Sequence, residues 1–224
     1  MTYVLSDIHG YAEAFNDILE QIALSKDDRL FIVGDVIDRG PDGIALLKRI
    51  KDDPRMTLLT GNHEFMMLET FTAESADERR DAMENWFRNG GEVTYRSFMS
   101  LPLEERKDLL AYVARLPLEI DLTLNGEDYR LVHAMPGECI RNGENKRDKT
   151  LFCVWSRLDP EEVWLPDRTV IFGHTPTWYY GSARPLSIMR FDRKIAIDCG
   201  MASGPRYGRL ACLRLEDQKT FYSS

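Results

Sequence analysis

The chain has 224 residues and a formal net charge of −8, and 43% of its residues are hydrophobic. This length and composition predict one α/β domain with a sizeable core. The acidic balance, with no basic cluster longer than residues 146–149, argues against a general nucleic-acid binder. No apolar run approaches the roughly 18 residues that a membrane span needs. Because the sequence also starts without the pattern of a signal peptide, we expect a cytoplasmic protein.

The cysteines are scattered and form no C-x-x-C pair. They are Cys139, Cys153, Cys199 and Cys212. This spacing predicts buried or incidental thiols and excludes both a zinc knuckle and a disulfide framework.

The first 64 residues alternate between short apolar runs and amphipathic segments. The runs at residues 3–5, 30–33 and 56–59 predict strands. Apolar residues recur at helical spacing over 15–22 and 44–50, which predicts two covering helices. The resulting β-α-β-α-β order implies parallel strands joined by right-handed crossovers.

Residues 65–117 interrupt this pattern and are predicted to form a helical insertion. One helix is expected over 77–89, ended by Gly90 and Gly91, and another around 109–116. We expect the insertion to pack beside the sheet, so that residues 1–224 form a single domain.

The second half of the chain changes to the alternating pattern of strands. A hairpin is predicted at Asn125-Gly126, and a polar loop over 136–150. Further strands are expected at residues 118–124, 129–132, 169–172, 188–191, 195–198 and 209–215. These strands predict a mostly antiparallel sheet that packs on the first one.

Five predicted strands end in polar residues that can bind a metal or act as acids. These residues are Asp7, His9, Asp35, Asp38, Asn62, His63, Glu64, His133 and His174. A single strand-end histidine is more often structural than a ligand, and one Asp could be a helix cap. Here, however, all four histidines of the chain follow apolar strands. Because ligands collect where the carboxyl ends of strands converge, the pattern favours one site.

The residue types indicate the chemistry of this site. Imidazole, carboxylate and amide oxygen without thiolate suit Mn, Fe, Zn or Co. The donors exceed what one tetrahedral metal needs, which favours two ions sharing a carboxylate. Two such ions can activate a bridging water and hold both ends of an in-line phosphoryl displacement. Arg39, which adjoins Asp38, is expected to bind phosphate and not to form a surface salt bridge, whereas the local sequence leaves both readings open for Arg157.

The motifs also resemble those of a known family. Residues 7–10 read DIHG, residues 34–40 read GDVIDRG and residues 61–64 read GNHE, followed by His133-Ala134 and Gly173-His174. In this order they resemble the signature motifs of the phosphoprotein phosphatases, a family of calcineurin-like metallophosphoesterases. The short chain is similar to the phage- and bacterial-type members.

The resemblance implies a fold and a role for each residue. The fold would be an α/β/β/α sandwich of two packed mixed sheets with outer helices and a dimetal site at the strand C-terminal ends. One metal, with Mn expected, would be held by Asp7, His9 and Asp35. The other would be held by Asp35, Asn62, His133 and His174. The general acid would be His63, oriented by Asp38. The phosphate would be bound by Arg39, Arg157 and Asn62.

The implied activity is metal-dependent hydrolysis of phosphate monoesters on phosphoproteins or phosphopeptides. Phosphoserine and phosphothreonine are the expected substrates, and phosphotyrosine is left open. The alternative is a symmetrical dinucleoside-tetraphosphate hydrolase, whose family lacks an Asp at the position of Asp38 and usually has Asp at that of Glu64. A catalytically dead scaffold would have lost ligands, and none of the expected ligands is missing.

Overall fold

The structure is a computed structural model that describes residues 1–140, 146–157, 159 and 161–224. Its first part confirms the predicted β-α-β-α-β order. The elements are β1 (Thr2–Leu5), α1 (Ala12–Ile22), β2 (Arg29–Ile32), α2 (Gly43–Asp52) and β3 (Met56–Leu58). As expected, β1 pairs with β2 and β2 with β3 in parallel.

The segment after β3 is helical. It contains α3 (Asn62–Thr72), α4 (Ala76–Arg88), α5 (Glu92–Met99) and α6 (Leu103–Val113). A capping box begins α4, because Ser75 accepts from the Glu78 amide and Glu78 accepts from the Ser75 amide. Helix α5 was not predicted from the sequence.

The second half adds one helix and seven strands within the described residues. They are β4 (Glu119–Leu124), β5 (Glu127–Val132), α7 (Lys146–Trp155), β6 (Thr169–Phe172), β7 (Met189–Phe191), β8 (Lys194–Ala196), β9 (Ala211–Arg214) and β10 (Thr220–Tyr222). Strand β10 was not predicted.

The predicted polar loop over 136–150 is wrong at its C-terminal end, where α7 begins. Its residues 141–145 lie outside the described part, and a short 3₁₀ turn occupies Gly137–Cys139. Because the first turn of α7 is charged, the sequence there has the pattern of a polar loop. What stabilises the helix is the burial of Cys153 and Val154 against the second sheet.

The prediction of a mostly antiparallel second sheet is also wrong. The sheet has the order β4-β5-β6-β8-β7, and its three central strands are parallel. Only the outer pairs β4–β5 and β7–β8 are antiparallel hairpins. Strands β9 and β10 do not belong to this sheet. They complete the first sheet, which has the order β10-β9-β1-β2-β3.

The two sheets pack face to face between helical layers. Along β1, Tyr3 and Leu5 point to the helices, whereas Val4 packs between the sheets. Along β6, Ile171 packs between the sheets, and Phe172 points outward to the layer containing α7. This alternation, which follows from the pleat of a strand, confirms the α/β/β/α sandwich of two mixed sheets. Among the described residues, no helix combines the length and apolarity needed to cross a membrane.

Candidate metal centre

The predicted site residues converge at one edge of the sandwich. Asp7 and His9 follow β1, and Asp35 and Asp38 follow β2. Asn62 and His63 open α3 directly after β3, and His133 and His174 follow β5 and β6. All eight side chains are buried, with at most 8% of any residue exposed. The two parallel strand groups therefore deliver their carboxyl ends to a common point.

Asp35 lies at the centre of this group. Its Oδ2 is 3.4 Å from His133 Nε2, 3.7 Å from His9 Nε2 and 3.9 Å from His63 Nε2. Potential ligand atoms of His9, Asp35 and His63 lie within 4.8 Å of one another, and so do those of Asp35, His133 and His174. One carboxylate thus serves two clusters, which is the arrangement that two neighbouring cations require.

Asn62 and Asp7 complete the two clusters. Asn62 Oδ1 lies 3.0 Å from both His133 Nε2 and His174 Nδ1. Asp7 Oδ1 lies 3.9 Å from His9 Nε2, and its Oδ2 accepts from the His174 amide at 3.1 Å. All the residues predicted to bind metal are therefore together, and His63, predicted to be the general acid, also lies within the first cluster.

The donors fit divalent cations. Because His133 Nδ1 must donate to the Val33 carbonyl at 2.7 Å, its Nε2 in the neutral ring carries a lone pair. That lone pair faces Asp35 Oδ2, another acceptor, so the contact needs a proton or a metal between them. The buried His174 Nε2 has no hydrogen-bond partner among the described residues. A buried ligand set with unmet acceptors and no thiolate suits Mn, Fe, Zn or Co.

The pKa shifts of the buried groups also indicate that positive charge stabilises the centre. Burial, and then Asp198, raises the pKa of Asp7. Burial opposes ionisation of His133, but Asp35 outweighs it and raises the pKa of His133 to about 10. Burial also opposes ionisation of Asp35, and His133 and His63 nevertheless lower its pKa. The buried carboxylates of the centre are therefore stabilised by a neighbouring positive charge, either a protonated histidine or a bound cation.

The backbone is strained at the same positions. Non-glycine residues with left-handed φ include Asp7 at 56°, His9 at 50°, Asp35 at 56°, Asp38 at 72° and His174 at 63°. Such conformations cost about 1–3 kcal/mol each and concentrate at functional sites. Hydrogen bonds between the loops hold them, including the Asp7 amide to the Gly34 carbonyl at 3.1 Å.

His63 is held by a second buried carboxylate. Its Nδ1 lies 2.6 Å from Asp38 Oδ2, and the same oxygen accepts from Trp86 Nε1 at 2.7 Å. The Asp38 amide donates to Thr94 Oγ1 at 2.9 Å. Burial lowers the pKa of His63, but Asp35 and Asp38 outweigh it and raise the pKa overall. The sequence signalled Trp86 only as an apolar face residue, and nothing in it pointed to Thr94.

Glu64 organises the loop that presents Asp35. Its Oε2 accepts from the Asp35 and Gly61 amides at 2.8 and 3.0 Å, and its Oε1 accepts from the Val36 amide at 2.9 Å. The carboxylate is fully buried. Glu64 therefore fixes the shape of two strand-end loops at once.

The two predicted arginines lie at the rim of the centre, with exposed side chains. Burial and the charge of His63 lower the pKa of His9, and Arg39 acts in the same direction. Burial and the charge of His133 lower the pKa of His174 to about 3, and Arg157 adds to this effect. Among the described residues, neither guanidinium has a carboxylate within 4.0 Å. Both are thus available to an anion bound at the centre.

Asp198 is a buried residue of the centre that the sequence analysis did not select. It follows β8, the third central strand of the second sheet, and burial raises its pKa to about 6. Its Oδ1 accepts from the Gly200 amide at 2.7 Å. The signal was present, because residues 195–198 are an apolar run that ends in Asp, like the runs before Asp7 and Asp35.

Two packed mixed sheets that gather buried carboxylate and imidazole groups at their strand ends, with arginines at the rim, define a metallophosphoesterase. A comparison with protein families agrees, since the model for calcineurin-like phosphoesterases matches residues 2–198. The chain belongs to the calcineurin-like phosphoesterase family.

Individual relatives carry more than one activity in their names. The chain is 30% identical to Serine/threonine-protein phosphatase 2 of Escherichia coli, over 96% of this chain and 92% of the relative. It is 25% identical to the symmetrical bis(5'-nucleosyl)-tetraphosphatase of Proteus mirabilis, over 98% of this chain and 96% of the relative. A metallophosphoesterase structure from Sphaerobacter thermophilus shares the fold, with a TM-score of 0.59 and 16% identity over 99% of this chain and 87% of the other.

Proposed function

We propose that this chain is a metal-dependent protein phosphatase that hydrolyses phosphoserine and phosphothreonine in proteins or peptides. The observation that carries the proposal is the 2.6 Å contact between His63 Nδ1 and Asp38 Oδ2. Asp38 fixes the ring so that His63 Nε2 faces the centre, 3.9 Å from Asp35 Oδ2. A histidine held in this way is suited to donate a proton to a leaving oxygen.

The leaving group explains why this pair favours phosphate monoesters. A serine alkoxide is strongly basic and leaves poorly unless it receives a proton as the P–O bond breaks. A nucleoside diphosphate is a far weaker base, so its departure depends much less on such an acid. A dedicated and doubly supported His63 is therefore of most use with phosphoserine and phosphothreonine.

The proposed ligands come from the two clusters with Asp7 and Asn62 added, and His63 is kept as the acid. One ion would be held by Asp7, His9 and Asp35. The other would be held by Asp35, Asn62, His133 and His174. Bound divalent ions would supply Lewis acidity, which neutralises phosphate charge and makes water a stronger nucleophile at neutral pH. We propose two such ions, with Mn as the first to be tested.

We assign phosphate binding to Arg39 and Arg157, with Asn62 as a further contact. The guanidinium groups are exposed at the rim and carry charges that act on His9 and His174. A guanidinium can bind two phosphate oxygens at once and cannot lose its charge at neutral pH. The arginines would hold the phosphoryl group in line with His63.

A specific observation also supports dinucleoside-tetraphosphate hydrolysis as a second candidate. The Proteus mirabilis relative with that name aligns over 98% of this chain at 25% identity. The choice between the two candidates rests on the substrate and not on the metal centre, which both reactions would use.

A comparison of substrates tests the proposal. The purified protein with Mn²⁺ would be given phosphoserine, phosphothreonine and phosphotyrosine peptides, and separately diadenosine tetraphosphate. We expect kcat/KM on phosphoserine or phosphothreonine peptides to exceed that on the dinucleotide by at least about tenfold. A preference of that size for the dinucleotide would overturn the proposal.

A further inference from the structure

A cavity of about 590 Å³ lies outside the metal centre. Its lining includes Arg184, Arg206 and Arg209 together with Tyr207, Ser223 and Ser224, and none of the described residues that line it is Asp or Glu. A volume of this size falls in the range of ligand-binding cavities. The cavity is therefore a concentration of positive charge on a chain whose net charge is −8.

The three guanidinium groups are supported by rings and not by carboxylates. Arg184 and Arg206 lie over the Tyr207 ring, 5.3 and 5.4 Å from its centroid. Arg209 lies over the Tyr222 ring at 3.7 Å, and its Nε donates to the Leu186 carbonyl. In the part of the chain that the structure describes, none of the three has a carboxylate within 4.0 Å. Because a ring face positions a cation without neutralising it, the groups remain free to bind an anion.

The wall of this cavity is joined to the metal centre by one short segment. The Arg209 amide donates to the Cys199 carbonyl at 3.0 Å, and Gly208 packs so tightly on Gly200 that an added Cβ would lie 2.0 Å from the Gly200 carbonyl oxygen. Asp198, at the start of the segment, has its carboxylate buried beside Asp7. The segment that follows Asp198 at the metal centre thus contacts the cavity wall at Gly208 and Arg209.

We infer that this cavity binds acidic side chains of the phosphoprotein substrate, in the sequence that flanks the phosphorylated residue. The inference rests on the proposed phosphatase function. Carboxylates complement the unpaired guanidinium groups in charge and in bidentate geometry. A nucleobase is a poorer match, because the Tyr207 ring on which it would stack already contacts two guanidinium groups.

Kinetics with matched peptides test this inference on the Mn-loaded protein. Three phosphoserine peptides of equal length would carry an acidic tract before the phosphoserine, an acidic tract after it, or Gln and Asn in both places. We expect kcat/KM for one acidic peptide to exceed that for the neutral peptide by about fivefold to tenfold, the range for a few exposed ion pairs. The preference should fall as salt is added.

The double variant Arg184→Gln/Arg206→Gln should lose this preference and keep its kcat/KM on p-nitrophenyl phosphate, which lacks a flanking chain. The control is Arg96→Gln/Arg190→Gln, which removes the same charge from exposed side chains elsewhere and should keep the preference.

Equal rates on all three peptides, or a preference that survives in the Arg184/Arg206 variant, would overturn the inference and leave the phosphatase function standing. Hydrolysis of p-nitrophenyl phosphate but of no peptide would overturn both. A raised KM for diadenosine tetraphosphate in the Arg184/Arg206 variant alone, with peptide kinetics unchanged, would assign the cavity to the dinucleotide and also overturn it.

Discussion

Replacing Glu64 by Gln changes one atom in a fully buried side chain, and we expect a large effect. Both carboxylate oxygens act only as acceptors. Oε2 accepts from the Asp35 and Gly61 amides, and Oε1 accepts from the Val36 amide and, at 3.4 Å, from the Ile37 amide. A glutamine side chain has one acceptor oxygen and one donor NH₂. Whichever way the amide turns, its NH₂ faces two backbone N–H groups.

The size of the effect follows from these contacts. Two buried donors lose their acceptor in either orientation, and each unsatisfied donor costs about 1–3 kcal/mol. We therefore expect Glu64→Gln to lower the free energy of unfolding by about 2–6 kcal/mol. The loop carrying Asp35 should also move, so metal affinity and kcat should fall with stability.

Urea unfolding of the metal-free protein, followed by circular dichroism, measures the stability change without a contribution from bound ions. The control is Glu69→Gln on the same helix. Glu69 makes an ion pair with the exposed Arg147, and its replacement should cost less than about 1 kcal/mol. If Glu64→Gln costs no more than this control and binds metal normally, the loop does not depend on the buried carboxylate as argued.

Three further predictions concern the centre itself. Asp35→Asn should reduce bound metal, measured by inductively coupled plasma mass spectrometry, and abolish most activity, since both clusters share Asp35; two retained ions with normal kcat would contradict this. Ala at Arg39 or Arg157 should raise KM and lower kcat together with metal content unchanged, because charge grows on the phosphoryl oxygens; unaltered kinetics would remove that arginine from the site. His63→Asn should lower the rate about 10²-fold on phosphoserine peptide but about tenfold on p-nitrophenyl phosphate. Trp86→Phe should show the same difference between the two substrates more weakly. Equal losses of rate on both substrates, together with the loss of a metal ion, would instead make His63 a metal ligand.

The residues at the strand ends could be predicted because their position depends on local pattern. An apolar run fixes the strand, and the polar residue after it must lie at the carboxyl edge of the sheet. Asp7, Asp35 and His133 are all of this kind. Asp198 obeys the same rule and could have been selected by it, but no histidine or second acidic residue follows it closely, unlike His9 after Asp7 and Asp38 after Asp35.

The sheet order could not be predicted because it depends on contacts that a hairpin pattern does not encode. The pattern of β9 is that of an ordinary antiparallel strand, and nothing in this pattern shows which sheet it joins. It pairs with β1 of the first sheet, with Leu213 opposite Val4. Helix α7 begins with charged residues, and only the long-range burial of Cys153 and Val154 shows its inner face. In both cases tertiary contacts decided between local alternatives.

The helical segment between β3 and β4 contributes to the centre through a few residues near its middle. Trp86 donates to Asp38 from 48 positions away, and the Gly90 carbonyl accepts from the Arg39 amide at 3.1 Å. Gly91 cannot carry a side chain, because a Cβ there would lie 2.3 Å from the Trp86 ring. One turn thus fixes both the carboxylate that orients His63 and the backbone of the arginine assigned to phosphate. Because Asp38 and Arg39 both have left-handed φ, they need this outside support, and the segment supplies it at a place that the strand-end motifs cannot reach.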